Sequence, residues 1–183
     1  MKKLTALMIM TLIILNVACI VYGFDEVSTG NSRLFYSKGY SDNAPLNVLN
    51  VWISGTPAVD NLVTIYNWTD DDSQKWNIVK NNDISGINPD SYRVVSKGNN
   101  VLALNYRQDT TGCTLYYFGP QNYYQDYPIG FNSVAGGGYT IWLYYRNTLY
   151  LGNTGITNGS QCFWKTYDSS SGISVNDVWV MFV

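Results

Sequence analysis

The sequence predicts an all-β protein, a β-trefoil made of three imperfect repeats of about four strands each. No segment shows a helical apolar period of useful length. Short apolar or aromatic segments instead alternate with turns rich in Gly, Asn and Asp, and the tripeptide Ser-Lys-Gly recurs after 59 residues. Repeats of this size cannot bury their apolar face alone, so we expect three to close around a shared core, whereas a propeller would need at least one further blade.

The first repeat, residues 32–80, has the clearest pattern. Its strands are predicted from β-branched and aromatic content and from the turns that bound them, at residues 32–39, 45–48, 62–68 and 74–80. The fourth strand opens with Gln74-Lys75-Trp76. We expect Trp76 to lie in the shared core.

Two weaker copies follow the first repeat. The second, residues 91–132, has predicted strands at 91–98, 101–105, 113–117 and 128–131, and its last strand lacks the Gln-x-Trp pattern. The third, residues 139–183, comes after a run of three glycines and has predicted strands at 139–144, 147–152, 162–167 and 177–182. Its last strand opens with Asp177-x-Trp179, a degenerate form of the same pattern.

Residues 1–23 are typical of a secretory signal peptide, since Lys2 and Lys3 precede a short apolar segment that ends in small residues. Cleavage before Phe24 leaves residues 24–183 as one domain, secreted and without a membrane span. The alternative is a lipoprotein anchored through Cys19, although Asn16 fits the lipidation motif poorly. A retained membrane anchor is disfavoured because the apolar segment is short for a span.

Composition argues against several functions. Without Lys2 and Lys3 the chain carries 9 basic and 13 acidic residues, a balance that disfavours binding to a phosphate backbone. The sequence contains no histidine, the commonest general base, and no zinc-ligand spacing or phosphate-binding glycine motif. We therefore expect no enzyme activity, no metal, no cofactor and no nucleic-acid partner.

Cys113 and Cys162 form an even pair once Cys19 is removed or lipidated. In an oxidising compartment they are expected to form a disulfide, which would close a loop of about 50 residues and stabilise the fold by about 4 kcal/mol. The alternative is two buried free thiols.

The first repeat resembles the ricin B-type lectins in three motifs: Pro45-Leu46-Asn47-Val48, then Val63-Thr64-Ile65-Tyr66, then Gln74-Lys75-Trp76. The resemblance implies a β-trefoil that binds glycans, of the galactose type or on cell surfaces. Some members of the family are targeting subunits of toxins, including the cytolethal distending toxins, and pair with a separate catalytic chain. The resemblance therefore also implies a catalytic toxin subunit as a partner.

The resemblance suggests which residues bind sugar. Asn47 stands where the family has an Asp, Tyr66 would be the stacking platform, and Ser73 and Gln74 would lie at the rim. Gln74 is equally open to a structural role, since its amide can satisfy backbone groups of the turn. In the second repeat Tyr117 is the candidate platform.

The other repeats keep less of the pattern. Ala103 takes the Asp position in the second repeat and Tyr150 takes it in the third, with Trp164 and Tyr167 as possible platforms or core residues. The acidic residues 70–72 lack the spaced ligands of a calcium loop and indicate a solvated turn. The alternative function is a β-trefoil with decayed sugar sites that docks on a partner protein through the tyrosine-rich segment 116–127.

Overall fold

The computed structural model describes residues 24–39, 46–107, 110–119 and 126–182. The expected signal peptide, its cleavage site and Cys19 lie outside these residues. Over the described part the chain is all-β, as predicted, with two single-turn 3-10 helices, η1 (Asp72–Gln74) and η2 (Val175–Asp177). The strands are β1 (Gly30–Ser37), β2 (Asn47–Val51), β3 (Val63–Asn67), β4 (Trp76–Lys80), β5 (Tyr92–Ser96), β6 (Leu102–Arg107), β7 (Thr110–Tyr117), β8 (Ile129–Ser133), β9 (Tyr139–Leu143), β10 (Arg146–Asn153), β11 (Cys162–Thr166) and β12 (Trp179–Phe182).

Six strands close into a ring. β1 pairs with β4, β4 with β5, β5 with β8, β8 with β9, β9 with β12, and β12 returns to β1, all antiparallel. A closed ring leaves no free sheet edge, so its interior can be filled entirely by side chains. The equivalent strand pairs show the threefold repeat, since Ser96 lies opposite Trp76 as Ser37 lies opposite Trp179.

The remaining six strands form three hairpins, β2–β3, β6–β7 and β10–β11. The hairpins meet one another through three equivalent bridges, Leu62 with Thr114, Gly112 with Phe163, and Gln161 with Thr64. A six-stranded ring with three hairpins at one end is the arrangement that a β-trefoil requires.

The core lies inside the ring and under the hairpins. Trp76 and Trp179 are fully buried at equivalent positions, as expected, and Ile129 takes that position in the second repeat. Each indole N–H donates to a hairpin carbonyl, Trp76 Nε1 to Leu49 O at 3.1 Å and Trp179 Nε1 to Leu151 O at 3.0 Å. These side chains therefore both fill the core and attach a hairpin to the ring.

Strand ends lie up to three residues from their predicted positions, and the shifts at β2 and β4 affect residues predicted to bind sugar. The second strand extends to Val51, three residues beyond its predicted end, because it pairs with β3 up to Val63. Gln74 precedes the fourth strand instead of opening it and lies in η1. Its side chain bonds to the backbone of the preceding turn, and that requires a helical turn rather than an extended backbone at this point.

The expected disulfide is wrong. Cys113 and Cys162 are both free thiols, fully buried in the core between the hairpins. Burial raises the pKa of both thiols well above their usual range, so both stay protonated and act as small apolar side chains. The alternative of two buried free thiols is the one that the structure bears out.

The role of the buried indoles can be tested with Trp76→Phe. This change removes the N–H that satisfies Leu49 O and leaves a gap in the core, so we expect the free energy of unfolding to fall by about 2 kcal/mol or more. Urea unfolding followed by circular dichroism measures it. Trp68→Phe is the matched control because Trp68 is 49% exposed, and equal losses in the two variants would contradict the assignment.

Candidate functional site

A shallow pocket of about 270 Å³ opens on the outer face of the first hairpin. We call it the aromatic pocket. It is lined by residues of β2 and β3, of the loop after β2, of the turn before η1 and of η1 itself: Asn50, Val51, Trp52, Ile53, Tyr66, Thr69, Asp71 and Ser73.

Strand register brings the principal side chains of this pocket together. Asn50 lies opposite Thr64 and Val48 lies opposite Tyr66. Side chains alternate between the two faces of a strand, so Asn50 and Tyr66 share the face that points away from the core, and Trp52 follows two residues after Asn50. The core face of the same hairpin carries Leu49 and Ile65, both fully buried.

The two rings form an aromatic corner. Trp52 and Tyr66 meet edge to face, with ring centroids 5.6 Å apart and planes at 70°. Trp52 is 52% exposed although it is a large apolar side chain. An exposed aromatic side chain beside polar groups is typical of a binding surface.

Polar groups lie beside the corner. Asn50 is 6% exposed, and its amide nitrogen donates to the carbonyl of Val51 at 2.9 Å. Its side-chain oxygen accepts a hydrogen bond from the Ser73 hydroxyl at 3.2 Å. Hydrogen bonds inside the protein thus hold Asn50 and Ser73 in one arrangement.

The turn adds carboxylates. Asp70 pairs with Lys75 at 2.9 Å and Asp72 with Lys97 at 3.2 Å. Asp71 faces the pocket and accepts a hydrogen bond from the Thr69 hydroxyl at 2.7 Å. The pocket is therefore bordered by negative charge, and its lining includes no Lys or Arg.

The structure separates the four predicted residues of the first repeat. Tyr66 and Ser73 line the aromatic pocket. Asn47 does not, since it is buried and its amide nitrogen donates to the carbonyl of Ile156 at 2.9 Å. The position in the pocket wall belongs to Asn50.

Gln74 is fully buried below the turn. Its amide nitrogen donates to the carbonyl of Asn67 at 2.7 Å, and its oxygen accepts from the Thr69 backbone N–H at 2.8 Å. Both bonds close the turn that carries Asp71 and Ser73. Gln74 therefore positions the pocket wall rather than lining it.

Sequence reasoning missed Asn50 and Trp52. The tripeptide Leu-Asn-Val occurs twice in succession, at 46–48 and 49–51, and only the pairing with β3 shows which copy faces the pocket. Trp52 could have been predicted from the alternation of side chains along a strand, which puts residues 50 and 52 on the same face.

The second repeat presents a different surface. By register, Asn105 and Tyr116 take the positions of Asn50 and Tyr66. Arg107 takes the position of Trp52, stacks over the Tyr116 ring at 5.2 Å and pairs with Asp60. The predicted platform Tyr117 is 39% exposed but lies one residue beyond this position.

The third repeat has no equivalent pocket wall. Gly152 takes the position of Asn50 and Lys165 takes that of Tyr66. Lys165 pairs with the buried carboxylate of Asp177 at 2.7 Å. A Cβ atom at position 152 would come within 2.5 Å of the Lys165 side chain and 3.0 Å of Asp177, so this ion pair fills the space that the pocket would need.

The two other candidate platforms of the third repeat have separate roles. Trp164 is in the core, and its indole donates to the carbonyl of Asn105 at 3.0 Å. Tyr167 packs edge to face on Trp142, with centroids 5.5 Å apart, at the wall of an apolar pocket of about 380 Å³. Neither lies beside a polar wall like that of the first repeat.

In the described part of the chain, no group of three or more His, Cys, Asp or Glu side chains is placed to hold a metal ion. No helix among those residues is long and apolar enough to cross a membrane.

Comparison with solved structures identifies proteins of the same fold. The designed threefold symmetric protein ThreeFoil matches with a TM-score of 0.61 at 15% identity, over 81% of this chain and 96% of its own. The ricin B-like lectin of Macrolepiota procera, solved in complex with lactose, matches with a TM-score of 0.57 at 12% identity, over 86% of this chain and 98% of its own.

An arabinofuranosidase solved with arabinofuranosyl-xylobiose also matches, with a TM-score of 0.60 at 11% identity. The match covers 87% of this chain but 32% of the arabinofuranosidase. No protein-family model matches the sequence, and no curated protein does either. At these identities the comparisons establish the fold.

The different roles of Gln74 and Ser73 can be separated by mutation. Gln74→Met keeps the length of the side chain but leaves buried backbone groups of the turn unsatisfied, so we expect the free energy of unfolding to fall by about 1–3 kcal/mol. Ser73→Ala removes one partly buried hydroxyl and should lower the free energy of unfolding by about 0.5–1.5 kcal/mol at most. Thermal and urea unfolding measure both, and a stable Gln74→Met protein would show that Gln74 does not support the turn.

Proposed function

We propose that this chain is a β-trefoil lectin of the ricin B-like kind, a non-enzymatic protein that binds glycans ending in galactose-type sugars through the aromatic pocket of its first repeat. One observation carries the proposal. The exposed ring of Trp52 and the half-buried ring of Tyr66 form a corner beside the fixed polar pair Asn50 and Ser73 in a single shallow pocket.

This arrangement suits the two-sided chemistry of a pyranose. A pyranose has an apolar face of C–H groups, which packs on an electron-rich aromatic ring, and a rim of hydroxyls, which need hydrogen-bond partners. Tyr66 and Trp52 supply the aromatic surface. Asn50 Oδ1, Ser73 Oγ and the Asp71 carboxylate supply acceptors around this surface.

Asp71 supports the proposal in a further way. The amide of Asn50 is a neutral acceptor, and charge-assisted hydrogen bonds are about twice as strong as neutral ones. Asp71 supplies a carboxylate to the pocket from the neighbouring turn. We infer that it accepts a sugar hydroxyl as the charged acceptor of the site.

A solved structure of similar fold supports the choice of a galactose-type sugar, since the lectin from Macrolepiota procera is described with lactose.

The three repeats are not equal candidates for a sugar site. In the second repeat the guanidinium of Arg107 covers the Tyr116 ring. In the third repeat the ion pair of Lys165 with Asp177 fills the space where the pocket would lie. We therefore expect one sugar site per chain.

Removal of either ring should weaken binding. Stacking on an aromatic ring contributes on the order of 1 kcal/mol or more, so Trp52→Ala and Tyr66→Ala should each weaken binding to lactose-agarose at least about fivefold. Trp68→Ala is the matched control because Trp68 is 49% exposed, against 52% for Trp52, and does not line the pocket. All three variants should unfold at similar urea concentrations.

A glycan array with galactose, N-acetylgalactosamine, glucose and mannose derivatives completes the test. Retention of galactosides by the wild-type protein and the Trp68→Ala variant, with loss in Trp52→Ala, supports the proposal. Absence of wild-type binding at high protein concentration would overturn it.

We also propose that the protein is secreted and serves to target a separate catalytic toxin subunit to glycans. The signal-peptide pattern of residues 1–23 and the family resemblance support this extension. Docking on a partner through segment 116–127 is the competing role, and Tyr117 is exposed there. Binding to cells with and without free lactose separates the two, since lactose should release the chain from a glycan but not from a protein on which it docks through the tyrosines.

A further inference from the structure

We propose that the sugar site is bipartite and binds a neutral disaccharide, with the terminal ring in the aromatic pocket and the second ring in an adjoining polar pocket. This inference rests on the proposed function. It assigns the polar pocket as a second subsite that selects the chemistry of the penultimate sugar.

The polar pocket is the larger of the two. Its volume is about 470 Å³, against about 270 Å³ for the aromatic pocket. Pockets for small ligands usually measure about 300–1,000 Å³, so the aromatic pocket alone is small for such a site. The polar pocket is lined by Ile53, Gly55, Thr56, Pro57, Asp71, Asp72, Ser73 and Gly98.

The two pockets adjoin. Ile53, Asp71 and Ser73 line both of them, so a ligand that leaves the aromatic pocket past these side chains enters the polar one. Asp71 and Ser73 can therefore contact both rings of one disaccharide.

The polar pocket is built in advance of any ligand. It lies between the first repeat and the turn after β5, where Asn99 Nδ2 donates to Pro57 O at 2.8 Å. Gly98 approaches Pro57 so closely that a Cβ atom would lie 2.8 Å from the proline ring. Asp72 is held across the same junction by Lys97 at 3.2 Å. Rigid walls lower the entropic cost of binding.

The lining of this pocket indicates what it accepts. Unlike the aromatic pocket, it has no aromatic side chain, and its polar groups are the hydroxyls of Thr56 and Ser73 and the carboxylates of Asp71 and Asp72. Hydroxyls of a neutral sugar can donate to these acceptors. A carboxylate on the second unit would face two like charges, with Lys97 already paired to Asp72, so an acidic second unit should be rejected.

Four ligands test this by isothermal titration on the full-length protein: galactose, lactose, lactitol and lactobionate. Lactitol and lactobionate share galactose and an open second unit and differ in that lactobionate carries a carboxylate. We expect lactose to bind about tenfold more tightly than galactose, since each added hydrogen bond strengthens binding modestly. We expect lactobionate to bind several-fold more weakly than lactitol, with the gap narrowing as salt increases.

Thr56→Met blocks the polar pocket with apolar atoms and removes a hydroxyl. It should reduce lactose affinity to that of galactose and leave galactose affinity unchanged. Val175→Met is the matched control because Val175 is 53% exposed and occupies, in the third repeat, the position of Asp72. It should bind all four ligands like the wild type.

The outcomes distinguish two failures. If galactose binds but lactose binds no more tightly, or if Thr56→Met keeps the preference for lactose, the second subsite is overturned while the aromatic pocket stands. If neither galactose nor lactose binds the wild-type protein, the proposed function itself fails. Equal binding of lactitol and lactobionate at low salt would overturn the selection against acidic sugars.

Discussion

The candidate site depends on one buried hydrogen bond, from the indole of Trp76 to the carbonyl of Leu49. Trp76 begins β4 of the ring, and Leu49 lies in the hairpin, so this bond fixes the hairpin relative to the barrel. The Leu49 carbonyl belongs to the peptide unit that leads into Asn50. Two residues before Trp76, Gln74 closes the turn that carries Ser73. The short segment Gln74–Trp76 therefore positions both the hairpin and the turn that line the aromatic pocket. Neither Gln74 nor Trp76 lines the pocket itself.

The threefold plan of the core and the presence of the aromatic pocket at the first hairpin have different causes. The plan is enforced by burial, since equivalent core positions hold Leu49, Leu104 and Leu151 and the hairpins meet through equivalent bridges. The outer face of each hairpin is under no such constraint. Its side chains can change without loss of core packing, as in the exchange of Tyr66 for Lys165 in the third repeat. The fold can therefore keep three copies of its core while keeping one copy of a site.

The sequence was most informative where burial imposes a repeating pattern. The two Ser-Lys-Gly tripeptides and the two motif tryptophans, Trp76 and Trp179, supported the prediction of repeats around a closed core. In the ring, Ser37 and Ser96 lie at equivalent positions, and so do Trp76 and Trp179. Register was not predictable, because two successive Leu-Asn-Val tripeptides give the same local pattern and only pairing with β3 decides between them. The disulfide prediction was wrong for a related reason: an even count of cysteines suits a disulfide, but Cys side chains also pack in a core as small apolar residues, as both do here.

Asparagine at position 50 follows from local geometry. Its amide nitrogen donates to the Val51 carbonyl at 2.9 Å, and Asn105 makes the same bond to the Tyr106 carbonyl at 2.8 Å. A carboxylate there would place an oxygen against a carbonyl oxygen in a site that is 6% exposed, and burial of an unpaired charge is costly. The amide therefore suits this backbone, and a negative charge for a ligand must come from elsewhere. Asp71, on a solvated turn that Gln74 holds in place, provides it without that desolvation cost.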